Sequence, residues 1–275
     1  MIGQDMLLRI SNKLIEKDSF PHILILEGQE GSGRRTISNE IGKMLDAMVI
    51  EAGVSVSDIR SMIENCHKMV NRTLHIISEA DTMSVAAQNA MLKVIEEPPN
   101  DCYFILTVQN KNALLDTILS RSTHYKMEAY TEQELRDYIH SLNVDDATAD
   151  TILMLSDTIG QIKQFAEIDV QAFMNYVELV IDNIAEVTGA NSFKIAEKIA
   201  LKKDSDGYDL RMFFKAFMIL CLRRMEENKG SLDIVRYSRG LTITSHYLVE
   251  CGIRGVSKPM LMDNWILDIR KEWMK

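Results

Sequence analysis

Cysteine is scarce and scattered. Four residues, Cys66, Cys102, Cys221 and Cys251, stand singly with no CxxC pair among them. That spacing supports neither a zinc site nor a disulfide framework, and it fits a reducing compartment. Proline is equally rare, with four residues beside thirteen glycines, which leaves little room for linkers or disorder. No uncharged apolar run reaches the roughly 18 residues of a membrane span, so none is expected. Positive charge is short as well. Lysine and arginine total 31 against 40 acidic residues, a net charge of −9. A protein whose main affinity came from coating phosphates would show the opposite balance, so nucleic acid has to be met through a small patch or a partner. The histidines form no i, i+4 pair, which argues against metal binding through them. The first residues carry Asp5 and Arg9 inside their apolar pattern and do not read as a signal peptide. A cytoplasmic location is expected.

What remains is the composition of an ordinary folded protein, 46% hydrophobic and 26% charged over 275 residues, enough for one large or two to three smaller domains. Met6, Leu7, Ile10, Leu14 and Ile15 recur at helical spacing and open the chain with an amphipathic helix. "HILILEG" (His22 to Gly28) is a short, nearly continuous apolar run ending in glycine, as a buried parallel strand would be. Helical period returns from Thr36 to Leu45. "AMVIEA", "TLHIIS", "CYFILTV" and the weaker "HYKM" near His124 are further strands. Between them lie a helix opened by Ser57 as N-cap and one from Ser84 to Glu97 halted by Pro98-Pro99. Strands alternating with helices imply a parallel sheet flanked by helices. After Tyr130 the pattern becomes helical throughout, starting with a Thr131/Glu134 capping box. Three short helices over 131–167 precede longer amphipathic stretches, Tyr208 to Glu227 and Leu232 to Val249.

"GQEGSGRRT" (Gly28 to Thr36) follows a predicted strand and opens a predicted helix, the setting of a phosphate-binding loop. Gly28, Gly31 and Gly33 let backbone N–H groups wrap an anion. In the working motif a lysine and a hydroxyl follow the last glycine; here Arg34 and Arg35 occupy those places and Thr36 comes one position late. Arginine supplies charge with a wider fork than lysine, and it offers no acceptor to magnesium. The second half of such a site is an acidic strand end that holds the metal and positions water. "LHIISEAD" breaks into acids as Ser78-Glu79, so the metal-binding aspartate is missing while Glu79 stays. Two lost metal contacts point to a relic loop that does not hydrolyse ATP by itself. A loop of this kind still attracts anions through its helix N-terminus.

Several stretches carry a family resemblance. "AAQNAMLKVIEEPP" (Ala86 to Pro99) closely resembles the helix after the acidic strand in clamp-loader ATPases. "MIGQ" at Met1 and "PHILILEG" at Pro21 look like the opening of that family. "FILTVQNKNALLDTILSRS" (Phe104 to Ser122) resembles its sensor strand and Ser-Arg-Cys motif, with Ser122 in place of the cysteine. "MLSDTIGQIKQFAE" looks like the start of its sensor-two helix, with Lys163 where active members carry arginine. The match runs by motif over about residues 1–170. A broken phosphate loop beside an intact Ser-Arg motif is most similar to the delta-prime type members of the bacterial DNA polymerase III clamp loader.

The resemblance implies an α/β AAA+ P-loop domain over 1–130, a small three-helix lid over 131–170 and a C-terminal all-α collar over 171–275. It implies a non-hydrolysing subunit assembled with ATPase and delta subunits in a hetero-pentamer, which places a sliding clamp on primed DNA. Arg121 would act in trans as an arginine finger on a neighbour's ATP, against the bland reading of a surface arginine paired with a carboxylate. Gln88 and Asn89 would couple nucleotide site to DNA, or else be ordinary exposed amides. Thr107 and Asn110 fall near the sensor position, although strand-end hydrogen bonding is the simpler role. Trp265 and Trp273 share a helix face, either core or interface, and "LRMFFKAFMILCLRRM" reads as a buried helix that the family would place in a collar. The four-cysteine zinc module common among bacterial relatives has no counterpart here, so no zinc, no other metal and at most weak ATP binding are expected. The alternatives are an active AAA+ clamp-loader ATPase with an atypical loop and a regulatory AAA-type module unrelated to replication.

Overall fold

The computed structural model describes residues 3–184, 210–227, 229, 233–251 and 256–274. The chain divides into two compact units, Met1–Ser141 with Ser156–Lys163, and Leu142–Leu155 with Gln164–Lys275.

In the first unit, five parallel strands run in the order β2-β3-β4-β1-β5: β1 Ile23–Glu27, β2 Met48–Ala52, β3 Thr73–Ile77, β4 Cys102–Val108 and β5 Thr123–Lys126. Apolar residues fill the inner strands on both faces because both faces are covered. Ile23 and Ile25 of β1, with Ile77, Phe104 and Leu106, face a core layer shared with α3 (Val56–Cys66), α4 (Val85–Glu96) and α5 (Asp116–Leu119). Their sequence neighbours Leu24, Leu26, Leu74, Ile76 and Ile105 point the other way, toward α1 (Asp5–Glu16) and α2 (Arg34–Met44). That alternation is the period-two geometry of a strand, and each fully buried Ile or Leu contributes about 1.5–3 kcal/mol.

All five expected strands form, within one residue of their expected ends. The helix after β2 starts earlier than expected. Its N-cap is Ser55, not Ser57: Ser55 Oγ accepts the Asp58 N–H at 3.1 Å, and Asp58 Oδ2 accepts the Ser55 N–H at 3.2 Å. A carboxylate three residues on completes this reciprocal pair at Ser55, which leaves Ser57 inside the first turn. Ser84 caps α4 through the Ala87 N–H, and Thr131 with Glu134 forms the expected box at the start of α6 (Glu132–His140). Of the other two short helices, α7 (Asp146–Leu155) falls in the second unit, and α8 (Ile159–Ala166) begins in the first and ends in the second.

The second unit packs α7, α9 (Val170–Asn183), α10 (Leu210–Glu227), α11 (Asp233–Glu250) and α12 (Lys258–Trp273). Its centre is aromatic. Phe217 meets Trp265 edge-on at 4.8 Å between ring centres and stacks on Trp273 at 5.8 Å, and Trp265 Nε1 donates to Thr244 Oγ1 at 2.9 Å. Both tryptophans are core residues, and the "LRMFFKAFMILCLRRM" helix is buried along much of its length. Met1 and Ile2 of the expected "MIGQ" opening, and Tyr208, Asp209 and Leu232 of the expected amphipathic stretches, lie outside the described residues. No described helix is long and apolar enough to cross a membrane.

Candidate functional site

The carboxyl ends of β1, β3 and β4 surround one pocket of about 620 Å³, lined by the Gly31–Ile37 loop with Ser78, Glu79, Thr107, Tyr130 and Lys163 among its walls. The glycine loop is tied to the strand next to it, since the Gly28 N–H donates to the Val108 carbonyl at 3.0 Å. Gly31 and Gly33 take φ values of 80° and 88°, which only glycine adopts without cost, and α2 starts at once behind them.

Three contacts from distant parts of the chain hold this loop. The Gly160 N–H donates to the Gly31 carbonyl at 3.0 Å, Thr158 Oγ1 donates to the Glu30 carbonyl at 3.2 Å, and the Tyr130 hydroxyl donates to the Ser32 carbonyl at 2.9 Å. Burial, then the nearby Glu134, raises the Tyr130 hydroxyl above its ordinary pKa, so it keeps the proton that it donates. None of the three was legible in sequence, because each partner lies about 100 residues or more away.

The two arginines part company. Arg34 is buried, and its Nη1 has no hydrogen-bond partner. Burial lowers its pKa from the usual guanidinium value, and the charges of Asp81, Glu79 and Glu30 oppose that shift. Arg35 turns outward and grips Glu51 of β2, with Nε and Nη2 at 2.7 and 2.6 Å from the same oxygen. Thr36 is exposed on the pocket wall.

Across the pocket, β3 stops at Ile77. Ser78 is half-buried, and Glu79 adopts a left-handed backbone with its N–H donating to Thr107 Oγ1 at 3.2 Å. Asp81 is also spoken for: its Oδ2 accepts the N–H groups of Gln109 and Asn110 at 2.9 and 3.2 Å, which joins the ends of β3 and β4. Asn110 caps the next turn by accepting the Asn112 N–H. Thr107 and Asn110 therefore do the strand-end bonding that their positions suggested.

Gln88 is not the exposed amide that a solvated face would carry. It is buried, donates to the Met83 and Ala113 carbonyls at 3.2 and 3.1 Å, and accepts the Leu115 N–H at 2.7 Å. Asn89, one step round α4, is exposed. Arg121 follows α5 at the surface, away from the pocket walls. Its Nη2 pairs with Glu96 Oε1 at 3.1 Å, both side chains about half exposed, and its Nη1 donates to the Thr117 carbonyl at 3.1 Å. An exposed pair of this kind is worth about 0–1 kcal/mol, a light tether that a stronger partner outcompetes. All four cysteines are free, and two of them, Cys66 and Cys102, meet His75 in the core.

Residues 47–131 match the family described as DNA polymerase III, delta subunit. The Bacillus subtilis DNA polymerase III subunit tau is 23% identical over 99% of this chain and 54% of its own length. Subunit delta' of the same organism is 22% identical over 60% of each. The chain spans about half the length of the first of these relatives. Among solved structures, a DNA polymerase III gamma subunit-related protein from Thermotoga maritima shares the fold with a TM-score of 0.57 at 18% identity, over 97% of this chain and 99% of that one. Along the chain these likenesses are to subunits of DNA polymerase III, and the five-stranded parallel sheet with its flanking helices is a fold shared with the Thermotoga protein.

Proposed function

We propose that this protein is a non-hydrolysing subunit of a DNA polymerase III clamp loader, of the delta-prime type, that works within a multi-subunit ring. The observation that carries the reading is the fate of the two arginines. Magnesium takes oxygen ligands in near-octahedral geometry, and a P-loop provides one from the hydroxyl that Arg35 replaces. Arg35 turns outward to Glu51 in an exposed pair and offers no oxygen to a metal, Arg34 fills the lysine position as a buried guanidinium, and Ser78 stands where a metal carboxylate belongs. These residues do not fit a magnesium–ATP complex, so no hydrolytic step is assigned to this chain.

In this reading the sheet and its locked loop serve as a rigid body against which ATP-hydrolysing neighbours work. Arg121 is the group offered outward. Its surface place and weak tether to Glu96 suit an arginine that leaves its own chain's carboxylate for a neighbour's phosphoryl group. The ring partners, the sliding clamp and the primed DNA enter through the relatives, and the C-terminal helices would supply the collar. Residual affinity of the loop is confined to phosphate-like anions, through Arg34, Lys163 and the start of α2.

The test is ATP turnover with magnesium, measured first on the purified chain and then after reconstitution with the gamma/tau-type and delta subunits. Turnover at background alone, with normal turnover of the complex that requires this chain, is the expected result. Brisk turnover by the chain alone would establish the competing reading of an active ATPase.

A further inference from the structure

Two of the cysteines that look isolated along the chain, Cys66 and Cys102, come together in space. Cys66 closes α3, His75 sits in the middle of β3, and Cys102 begins β4. Their ligand atoms all lie within 4.8 Å of one another, and all three residues are buried. Cys66 Sγ is 3.3 Å from His75 Nε2. We propose that Cys66, His75 and Cys102 form a zinc site in the core of the α/β unit, with water from the adjoining cleft as the fourth ligand.

Geometry comes first. Zinc bonds sulfur at about 2.3 Å and imidazole nitrogen at about 2.0–2.1 Å, so a tetrahedral ion holds such a pair about 3.5 Å apart and two sulfurs about 3.8 Å apart. The observed S···N separation is close to that edge, and the 4.8 Å limit puts the remaining separations at most about 1 Å beyond the sulfur–sulfur edge. The backbone favours this meeting. Thr73 pairs with Cys102 and His75 with Phe104, so His75 and Cys102 emerge on the same face of adjacent strands, under the end of α3.

Charge and burial agree. A histidine with no exposed surface, stacked on Phe104 at 5.5 Å between ring centres, costs stability unless its nitrogens are satisfied. Here Nε2 meets a thiol, a weak partner, and Nδ1 meets no protein group. Two thiolates neutralise a divalent ion, and the imidazole adds no charge, so the loaded site is neutral and suits a core. His75 also borders a cleft of about 230 Å³ shared with Asp58 and Asn65. Water takes up about 30 Å³, so the cleft has room for several molecules beside the site, and one admitted as the ion binds would complete the coordination shell.

Spacing along the chain argued against zinc because it compares only neighbours in sequence. These ligands come from three elements and leave aside Cys221 and Cys251. An ion bound here would pin the end of α3 to β3 and β4.

The experiment uses the full-length chain, purified without strong chelators and passed over a desalting column. Metal content by mass spectrometry is expected to show one zinc ion per chain. That zinc is expected to be lost in Cys66→Ser, Cys102→Ser and His75→Ala and kept in Cys221→Ser and Cys251→Ser. Since the core variants stand to unfold, the wild-type chain is also loaded with cobalt. Visible bands of tetrahedral cobalt with a near-ultraviolet thiolate-to-cobalt transition are expected, and added zinc should abolish them. Absence of both zinc and the cobalt bands, or zinc retained by all three core variants, would overturn the proposal.

Discussion

Gly160 sits against Gly31 with no space for a side chain on either. The Gly160 N–H donates to the Gly31 carbonyl at 3.0 Å, and a Cβ built on Gly160 would lie 2.3 Å from the Gly31 α-carbon. The obstacle is backbone, so neither partner yields by turning a side chain. Gly160→Ala is therefore expected to destabilise the first unit by about 1–3 kcal/mol, the range for overpacking. The measurement is the midpoint of chemical denaturation. An unchanged midpoint would show that the glycine loop moves away freely.

Arg34 is a buried cation with one nitrogen lacking any partner, in a pocket that Lys163 also borders. Replacing it with methionine removes a desolvated charge and keeps the length of the side chain. Stability without ligand is expected to stay level or rise by about 1–4 kcal/mol, as when buried ionic groups give way to apolar ones of similar size. Inorganic phosphate or sulfate should raise the melting temperature of the wild-type chain more than that of Arg34→Met, which keeps only Lys163 and the helix start. Equal stabilisation of both would place the anion elsewhere.

The sheet was readable because its inner strands are predominantly apolar stretches of five to seven residues separated by helical period. Helix starts were readable where the cap and its carboxylate stand alone, as at Thr131. At α3 two serines compete, Ser55 and Ser57, and only the reciprocal bond with Asp58 separates them. The glycine loop was equally plain, since it is local. What stayed hidden depends on distant pairings. Gln88 ties Met83 to the Ala113–Leu115 backbone, Tyr130 reaches Ser32, and Cys66 meets His75. Whether Trp265 faces a core or a partner is undecided by period alone, and the Phe213–Phe217 cluster resolves it.

A pH effect is expected in the second unit. The Tyr247 hydroxyl donates to Asp268 Oδ2 at 2.6 Å, and burial first, with the carboxylate adding to it, raises its pKa above the ordinary tyrosine value. The unfolded chain loses this proton near pH ~10, while the folded chain keeps it. The contribution is thus fully present below that pH and is lost as pH rises toward the folded value. Tyr247→Phe should lower stability at neutral pH by about 1 kcal/mol and flatten the decline above pH ~10. Denaturation midpoints of both proteins across that range provide the check. Parallel curves would show that Tyr247 titrates alike in both states.

Arg121 separates a structural role from a role in assembly. Its pair with Glu96 is exposed on both sides, so Arg121→Ala should change the chain's own stability by less than about 1 kcal/mol. If the guanidinium neutralises charge on a neighbour's transferring phosphoryl group, turnover of the reconstituted complex falls by about 10³–10⁵ where that neighbour's site limits the rate. Lysine keeps the charge but loses the planar fork, so Arg121→Lys should recover only a small part. Glu96→Gln provides the internal control: it frees the arginine without removing it, and turnover should hold or rise. Pull-down of the partner subunits by each variant separates lost catalysis from lost assembly. A complex that assembles with Arg121→Ala and turns over ATP at the wild-type rate would leave this arginine as a surface partner of Glu96 and nothing more.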